Sequence, residues 1–216
     1  MTFDEAISGK KAALIDMDGV LYDSMPRHCL AWRETMLEEG LDIPAEEFFL
    51  YEGMTGPATI NLLMQREKGR TLSLEECKAI YARKAARFRA QGEPEPMPGA
   101  SDKIKKLQEA GIITVLVTGS AQNSLLNRLE RDYPGAFPPQ RRITALDVTN
   151  GKPHPEPYLR GLEKAGVSAE EAVVIENAPL GVRAGKAAGI FTIAWMTGPV
   201  PREAFESEGA DLILTR

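Results

Sequence analysis

The sequence predicts an open α/β fold, in which a parallel β-sheet carries helices on both faces and a helical cap domain is inserted into the chain. In the C-terminal half, short apolar runs alternate with helical segments, as expected for βαβ units with right-handed crossovers. Near the N-terminus, residues 12–15 form a continuous apolar run bounded by a turn signal, which is typical of a strand buried on both faces. Between these regions, residues 25–90 show the apolar spacing of helices rather than strands.

Composition and charge exclude several classes of protein. The chain has 216 residues and a net charge of −5, and no block of Lys and Arg stands out, so nucleic acid is not an expected partner. The two cysteines, Cys29 and Cys77, are too few for a disulfide framework and lack metal-ligand spacing. The acidic N-terminal segment does not resemble a signal peptide, and no apolar run approaches the ~20 residues of a membrane span. We therefore expect a cytoplasmic protein that uses neither a membrane nor nucleic acid; its oligomeric state is left open, and a monomer is compatible with the sequence.

Changes in composition divide the chain into two predicted domains. These are a core domain, residues 1–24 and 98–216, and a helical cap with its linkers, residues 25–97. In the cap, Leu30, Met36 and Leu37 recur at helical spacing, a helix start is expected near Asp42, and Ser73 begins a capping box for a further helix. The Pro- and Gly-rich segment after the cap is interpreted as a linker. The predicted core elements are strands at 112–117, 142–145, 172–175, 190–194 and 212–214, and helices at 100–110, 121–131, 155–165 and 180–188.

Polar side chains follow the predicted strands at a similar relative position. They are Asp16 and Asp18 after the first strand, Thr118-Gly119-Ser120 after the second, Lys152 in a later Gly-Lys-Pro loop, and Glu176-Asn177 after the strand at 172–175. The carboxyl ends of parallel strands meet at one edge of the sheet, where open α/β folds bind ligands. Taken alone, Asp16 and Asp18 fit an ordinary Asp-Gly turn equally well, and Thr118 could simply cap the helix that follows. Four such termini with complementary chemistry favour a functional site.

These segments resemble the motifs of the haloacid dehalogenase superfamily, in its β-phosphoglucomutase-like branch. DMDGVLYDS, VTGS, GKP and VVIENAPLGVRAGKAAG are similar to its first, second, third and fourth motifs and occur in the expected order. The helical insertion lies where that branch carries its cap. Within the branch, the chain most resembles inorganic pyrophosphatases of this superfamily.

The resemblance implies a Rossmann-like core and phosphoryl transfer through an aspartyl-phosphate. Asp16 would be the nucleophile, and Asp18 the general acid that later acts as general base. Thr118 would hydrogen-bond a phosphoryl oxygen, and Lys152 would neutralise charge on the nucleophile and on the transferring group. Mg²⁺ is the implied cofactor, because it is a hard cation that takes oxygen ligands.

The resemblance also implies the remaining site residues, except Glu52, which is included on the hypothesis that it reaches the metal when the cap closes. The predicted substrate- and phosphate-binding residues are Gly19, Gly119, Ser120 and Glu52. The predicted metal ligands are Asp16, Asp18, Asn177, Glu176 and Glu52. Ser24, by contrast, is interpreted as part of the start of the first cap helix, and His28 and His154 as surface or satisfied core residues.

Two positions depart from the pattern of the superfamily. Most relatives carry two acidic residues in the fourth motif, whereas this chain has Glu176-Asn177, and an amide oxygen brings no negative charge to a metal. Glu52 in the cap is a candidate replacement carboxylate; the alternative is a solvated glutamate at a helix end. Sugar-phosphate mutases of the branch carry a basic residue near this point, where the matching position here is Gly56.

The sequence therefore predicts a Mg²⁺-dependent phosphohydrolase. Inorganic pyrophosphate is the preferred substrate, followed by small phosphorylated metabolites. A β-phosphoglucomutase is the first alternative, and a catalytically weak regulatory protein that binds a phosphorylated ligand is the second. Cap motion about the linkers near Met25 and at residues 91–99 is expected to gate turnover.

Overall fold

A parallel sheet lies at the centre of the protein in this computed structural model, which describes residues 1–120 and 123–215. Its strands are β1 (Ala12–Ile15), β2 (Ile113–Val117), β3 (Arg142–Ile143), β4 (Ala172–Glu176), β5 (Phe191–Met196) and β6 (Leu212–Thr215). They lie in the order β3-β2-β1-β4-β5-β6, and each pair of neighbours is parallel. The α/β fold predicted from the sequence is confirmed.

Helices cover both faces of this sheet. The helices are α1 (Phe3–Ile7), α2 (Met25–Glu38), α3 (Gly56–Lys68), α4 (Leu74–Ala90), α5 (Ala100–Glu109), α6 (Asn123–Asp132), α7 (Glu156–Ala165), α8 (Pro179–Ala187) and α9 (Arg202–Ser207), with 3₁₀ helices at Ala45–Tyr51 and Pro139–Arg141. Successive residues of β1 point to opposite faces. Ala13 and Ile15 pack with side chains of α1, α5 and α6, whereas Ala12 and Leu14 pack with side chains of α7 and α8.

The cap has an apolar core of its own. Helices α2, α3 and α4 and the 3₁₀ helix at Ala45–Tyr51 enclose a cluster that includes Trp32, Met36 and Ile60. Of the apolar positions predicted for α2, Met36 is buried, but Leu30 and Leu37 are exposed. The face of α2 that packs is therefore rotated from the predicted one.

Several predicted elements differ in extent from the observed ones. The strand predicted at 142–145 has only two residues, because the carboxylate of Asp147 accepts hydrogen bonds from the backbone N–H and the hydroxyl of Thr144, both at 2.8 Å, and turns the chain. In place of the helix expected near Asp42, the structure has the 3₁₀ helix at Ala45–Tyr51. The predicted start of α6 at Ala121 lies outside the described residues. Helix α1 was not predicted, although Thr2 and Glu5 form a capping box that signals it.

The two linkers to the cap run side by side. The backbone N–H of Asp23 donates to the carbonyl of Glu95 at 2.9 Å, and that of Met97 donates to Leu21 at 2.8 Å. The entry and exit of the cap are thus joined next to the loop that follows β1. Across residues 1–120 and 123–215, no helix combines the length and apolar character that crossing a membrane requires.

The register of the central strands positions the site. Ile15, the last residue of β1, pairs with Leu116 of β2 on one side and with Ile175 of β4 on the other. The residues that follow these three strands therefore emerge side by side at one edge of the sheet, below the cap.

Candidate active site

The loop after β1 carries Asp16 and Asp18 and turns sharply at Gly19. Gly19 has a φ of +80°, and a Cβ at this position would overlap the amide of Asn177. The loop is held by two hydrogen bonds: the Gly19 N–H donates to Tyr22 at 2.8 Å, and the Thr197 hydroxyl donates to the Gly19 carbonyl at 2.7 Å. Only glycine fits this turn, which brings both aspartates to the edge of the sheet.

Lys152 lies at the centre of a buried ion cluster. Its ammonium donates to Asp16 Oδ1 at 2.5 Å, to Glu176 Oε1 at 2.6 Å and to the carbonyl of Val117 at 3.1 Å. Burial alone would lower the pKa of Lys152, but the two carboxylates outweigh it and raise that pKa above the usual range of lysine. Burial raises the pKa of Asp16, and the charge of Lys152 opposes that shift. Lys152 therefore remains a cation in contact with Asp16.

Glu176 is fully engaged within the protein. Its Oε1 accepts from Lys152 and from the Tyr158 hydroxyl at 2.7 Å, and its Oε2 accepts from the backbone N–H groups of Asn177 at 3.0 Å and Ala178 at 3.2 Å. Four donors occupy its two oxygens. The predicted metal-binding role of Glu176 stays a prediction, and this geometry favours Asn177 as the ligand from the fourth motif.

Asp18 is held by residues of the first linker and the cap. The Ser24 hydroxyl donates to Asp18 Oδ1 at 2.6 Å, and His28 Nε2 lies 2.9 Å from the same oxygen. Lys84 Nζ lies 2.5 Å from His28 Nδ1. Because an ammonium has only donors, Nδ1 must accept and Nε2 carries the proton that it donates to Asp18. Burial favours a raised pKa for Asp18, but its contact with His28, the hydrogen bond from Ser24 and the nearby charge of Lys84 prevail, and the pKa lies below its usual value.

Glu52 of the cap reaches the core. Its two carboxylate oxygens lie 3.0 and 2.9 Å from the Asn177 amide nitrogen, and the residue is only 8% exposed. Burial, followed by the charge of Asp16, raises the pKa of Glu52 well above its usual value. Glu52 is thus a buried carboxylate beside other carboxylates, rather than a solvated residue at a helix end.

The second motif meets the cap through close backbone contacts. Thr118 Oγ1 accepts from the Ser120 N–H at 3.0 Å, which leaves the hydroxyl proton of Thr118 to donate to a ligand. A Cβ at Gly119 would lie 2.6 Å from the Gly53 carbonyl, so the cap loop rests directly on this turn. Thr118, Gly119 and Ser120 all line the cavity between the edge of the sheet and the cap region.

The donor set of the site suits a divalent cation. Asp16 Oδ2 and Asn177 Oδ1 are buried oxygens without a hydrogen-bond partner. The site also holds more buried carboxylates than buried cations: Asp16, Asp18, Glu52 and Glu176 against Lys84 and Lys152. Two orphaned oxygens beside excess negative charge match the oxygen ligands and charge that Mg²⁺ prefers. Among the described residues, no three His, Cys, Asp or Glu side chains form a metal-binding group, so such a site would depend on the Asn177 amide and backbone oxygens.

A small cavity of about 60 Å³ lies between the aspartates and the cap. Pockets for drug-sized ligands are typically about 300–1,000 Å³, so this cavity suits a compact ligand. Tyr81 forms part of its wall, and a Cβ at Gly56 would overlap the Tyr81 ring. The aromatic ring thus occupies the space that a side chain at position 56 would enter.

The structure brings the predicted site residues together at this edge. Those in or beside the cluster are Asp16, Asp18, Gly19, Glu52, Thr118, Gly119, Ser120, Lys152, Glu176 and Asn177. Sequence reasoning missed Ser24, His28, Lys84 and Tyr158. The spacing of Ser24 and His28, four residues apart at a helix start, would have placed them on one face, whereas no local signal marks Lys84 or Tyr158. His154 is exposed and accepts the N–H of Glu156 at 3.1 Å.

Fold and site together define a class of protein: an α/β enzyme with an acidic site at the carboxyl edge of its sheet, covered by a helical cap. The family model of haloacid dehalogenase-like hydrolases matches residues 10–189 of this chain. The chain therefore belongs to this family. The predicted superfamily is confirmed.

Three comparisons describe its relatives. The chain is 31% identical to hexitol phosphatase A of Escherichia coli over 186 residues. The aligned region covers 85% of this chain and 82% of that protein. It is 31% identical over 184 residues to a phosphorylated carbohydrates phosphatase of Thermotoga maritima, covering 85% of this chain and 83% of that one. Its structure matches a provisionally named β-phosphoglucomutase of Bacteroides vulgatus with a TM-score of 0.92 and 45% identity, covering 98% and 90% of the two chains. The predicted β-phosphoglucomutase-like branch is supported by this match.

The buried Lys84 should make stability depend on alkaline pH. Burial lowers the pKa of Lys84 from the usual 10.5 to about 8, although the charges of Asp18 and Cys29 act to raise it. His28 and the ring of Tyr81 also face the ammonium. Because the folded protein releases this proton more readily than the unfolded chain, the charge costs stability below pH 8. That cost disappears as the pH rises from about 8 to 10.5.

We expect the free energy of unfolding of Lys84→Met relative to wild type to be higher at neutral pH than at pH 10.5 by up to about 3 kcal/mol, which is the free energy that corresponds to this change in pKa. Urea denaturation of wild type and variant at neutral and alkaline pH measures the two free energies of unfolding. Lys78→Met, which replaces an exposed lysine on the same helix, is the control. A Lys84→Met difference that is equal at both pH values would contradict the assignment.

Proposed function

We propose that this chain is a phosphohydrolase that cleaves compact phosphorylated substrates, with inorganic pyrophosphate preferred. The observation that carries the proposal is the Glu52 carboxylate, which projects from the cap to Asn177 and closes a cavity of about 60 Å³ over Asp16 and Asp18. Orthophosphate is among the smallest leaving groups that a phosphoryl-transfer site can accept.

The first half of the reaction uses Asp16 and Lys152. An oxygen of Asp16 attacks phosphorus, so that a P–O bond to Asp16 forms as the P–O bond to the leaving group breaks. Lys152, 2.5 Å from Asp16 Oδ1, neutralises the charge of the nucleophile, and the Thr118 hydroxyl donates to a phosphoryl oxygen. In the second half, water attacks the aspartyl-phosphate, Asp18 takes the water proton, and Asp16 is released as a carboxylate.

The residues that would hold Mg²⁺ are Asp16, the Asp18 backbone, Asn177 and Glu52. The orphaned oxygens of Asp16 and Asn177 and the excess of buried carboxylates support this assignment. When bound, the cation would neutralise phosphoryl charge and relieve the repulsion among these carboxylates. Glu52 would supply the negative charge that Asn177 does not.

The environment of Asp18 supports a leaving group that needs no proton. Ser24 and His28 both donate to Asp18 Oδ1 and favour its ionised form. This form accepts a proton from the attacking water more readily than Asp18 could supply one to a departing sugar oxygen. Orthophosphate departs as a stable anion, so this arrangement suits pyrophosphate better than a sugar phosphate.

A sugar-phosphate phosphatase is the second candidate. It is favoured by the two relatives above, whose names describe them as phosphatases of a hexitol phosphate and of phosphorylated carbohydrates. A mutase is disfavoured because Gly56 supplies no basic group, and the Tyr81 ring fills the adjacent space.

A substrate screen tests the proposed function. Pyrophosphate, hexose 6-phosphates and β-glucose 1-phosphate are assayed with and without Mg²⁺, and Asp16→Asn serves as the inactive blank. We expect the highest kcat/KM for pyrophosphate, with Mg²⁺ required. A preference for hexose phosphates would overturn the pyrophosphate assignment and leave a sugar phosphatase. Conversion of β-glucose 1-phosphate to glucose 6-phosphate would show a mutase, and ligand binding without turnover of any substrate would show the regulatory alternative.

Removal of the cap carboxylate tests the role of Glu52. Glu52→Ala should shift the Mg²⁺ dependence to higher concentration and slow pyrophosphate turnover about tenfold to a hundredfold, as for loss of an oriented metal contact. The rise in Tm on adding Mg²⁺ should also diminish, which reports metal binding independently of activity. Glu46→Ala, which removes an exposed carboxylate in the 3₁₀ helix that ends just before Glu52, is the matched control. An unchanged Mg²⁺ dependence and an unchanged pyrophosphate turnover would contradict the assignment of Glu52 as a metal ligand.

Enlarging the cavity tests the size argument. Tyr81→Ala removes the ring beside Gly56, and we expect the ratio of hexose-phosphate to pyrophosphate kcat/KM to rise at least about tenfold. Tyr81→Phe keeps the ring and should keep the wild-type ratio. If Tyr81→Ala leaves that ratio unchanged, the ring does not limit substrate size.

A further inference from the structure

Helix α7 is fixed closely against the sheet. A Cβ at Gly161 would lie 3.2 Å from the side chain of Leu14 in β1 and 3.3 Å from that of Val117 in β2. Tyr158 lies three residues earlier, so it is on the same face of α7 and is fully buried. Its ring therefore has little freedom to move relative to the strand ends that carry the site.

The hydroxyl of Tyr158 reaches the ion cluster. It donates to Glu176 Oε1 at 2.7 Å, the same oxygen that accepts from Lys152 Nζ at 2.6 Å. The ammonium of Lys152 also lies 5.1 Å from the centre of the Tyr158 ring, within the range of a cation–π contact. Tyr158 thus contacts both partners without reaching the cavity.

Lys152 is shared between two carboxylates at nearly equal distance. Asp16 Oδ1 lies 2.5 Å from its ammonium and Glu176 Oε1 lies 2.6 Å from it. A buried carboxylate oxygen with fewer donors competes more strongly for the donor that remains. The Tyr158 hydroxyl supplies the second donor to this Glu176 oxygen and so limits the pull of Glu176 on Lys152.

We propose that Tyr158 is a positioning residue for phosphoryl transfer: its hydroxyl balances Glu176 so that the Lys152 ammonium stays on the nucleophile Asp16. The proposal rests on the proposed function, because it deepens the role of Lys152 in the same reaction. Tyr158 acts only through Glu176 and Lys152 and contacts no substrate.

The test is Tyr158→Phe, which removes the hydroxyl and keeps the ring. In single-turnover experiments with pyrophosphate and acid quench, the rate of phosphoryl transfer to Asp16 should fall about tenfold, while the substrate concentration that gives half the maximal rate stays unchanged. In a Glu176→Gln background the same change should have no further effect, because the two act through one contact.

Tyr133→Phe is the matched control. Tyr133 is also buried, and its hydroxyl donates to the backbone carbonyl of Leu21 rather than to the ion cluster. We expect a comparable loss of thermal stability and an unchanged transfer rate. A Tyr158→Phe rate equal to that of Tyr133→Phe would overturn the proposal, as would an effect that is fully additive with Glu176→Gln.

Failure of the proposed function gives a different result. A wild-type protein that turns over the sugar phosphates instead of pyrophosphate rejects only the substrate, and the same rates are then measured with the preferred sugar phosphate. If wild type turns over none of the screened substrates, the crystal structure of Tyr158→Phe decides. Displacement of Lys152 Nζ from Asp16 beyond hydrogen-bond distance supports the positioning role, and an unchanged Lys152 overturns it.

Discussion

The contact on which the site depends is the buried ammonium of Lys152 between Asp16 and Glu176. A buried lysine between two buried carboxylates is stable only when the charges are paired and hydrogen-bonded. The Val117 carbonyl, Tyr158 and two backbone N–H groups complete the hydrogen bonds of Lys152 and Glu176, while Asp16 Oδ2 is left without a partner. Removing one partner would leave an uncompensated buried charge. The cluster therefore fixes the relative positions of β1, β4 and the loop that carries Lys152.

Negative charge in excess of this cluster explains why the cap and core meet as they do. Glu52 approaches Asn177 although Asp16 and Asp18 already lie close by, and burial alone makes its ionised form costly. Such an arrangement is stable when a divalent cation or a protonated substrate oxygen offsets the repulsion. If the proposed divalent cation binds here, cap closure and cation binding would stabilise each other, which would couple substrate access to metal binding.

The cap also brings a positive charge to the acid/base residue. Lys84 of α4 contacts His28 of α2, and His28 contacts Asp18 of the core, so two cap helices reach the site through one imidazole. This link, together with the Ser24 hydroxyl, orients Asp18 and favours its carboxylate form. Opening of the cap would move His28 and Lys84 away from Asp18, so the environment of Asp18 depends on the position of the cap.

The sequence by itself determined the parallel α/β fold, the helical cap and the four segments that form the site, because apolar periodicity, caps and motif order are local properties of the chain. It also singled out Asn177 and Glu52 as unusual. The tertiary structure alone decided that Glu52 contacts Asn177, that Lys84 reaches Asp18 through His28, and that Tyr158 supports Lys152 through Glu176. These contacts join side chains far apart in sequence, and their geometry depends on how the helices pack against the sheet rather than on any local pattern.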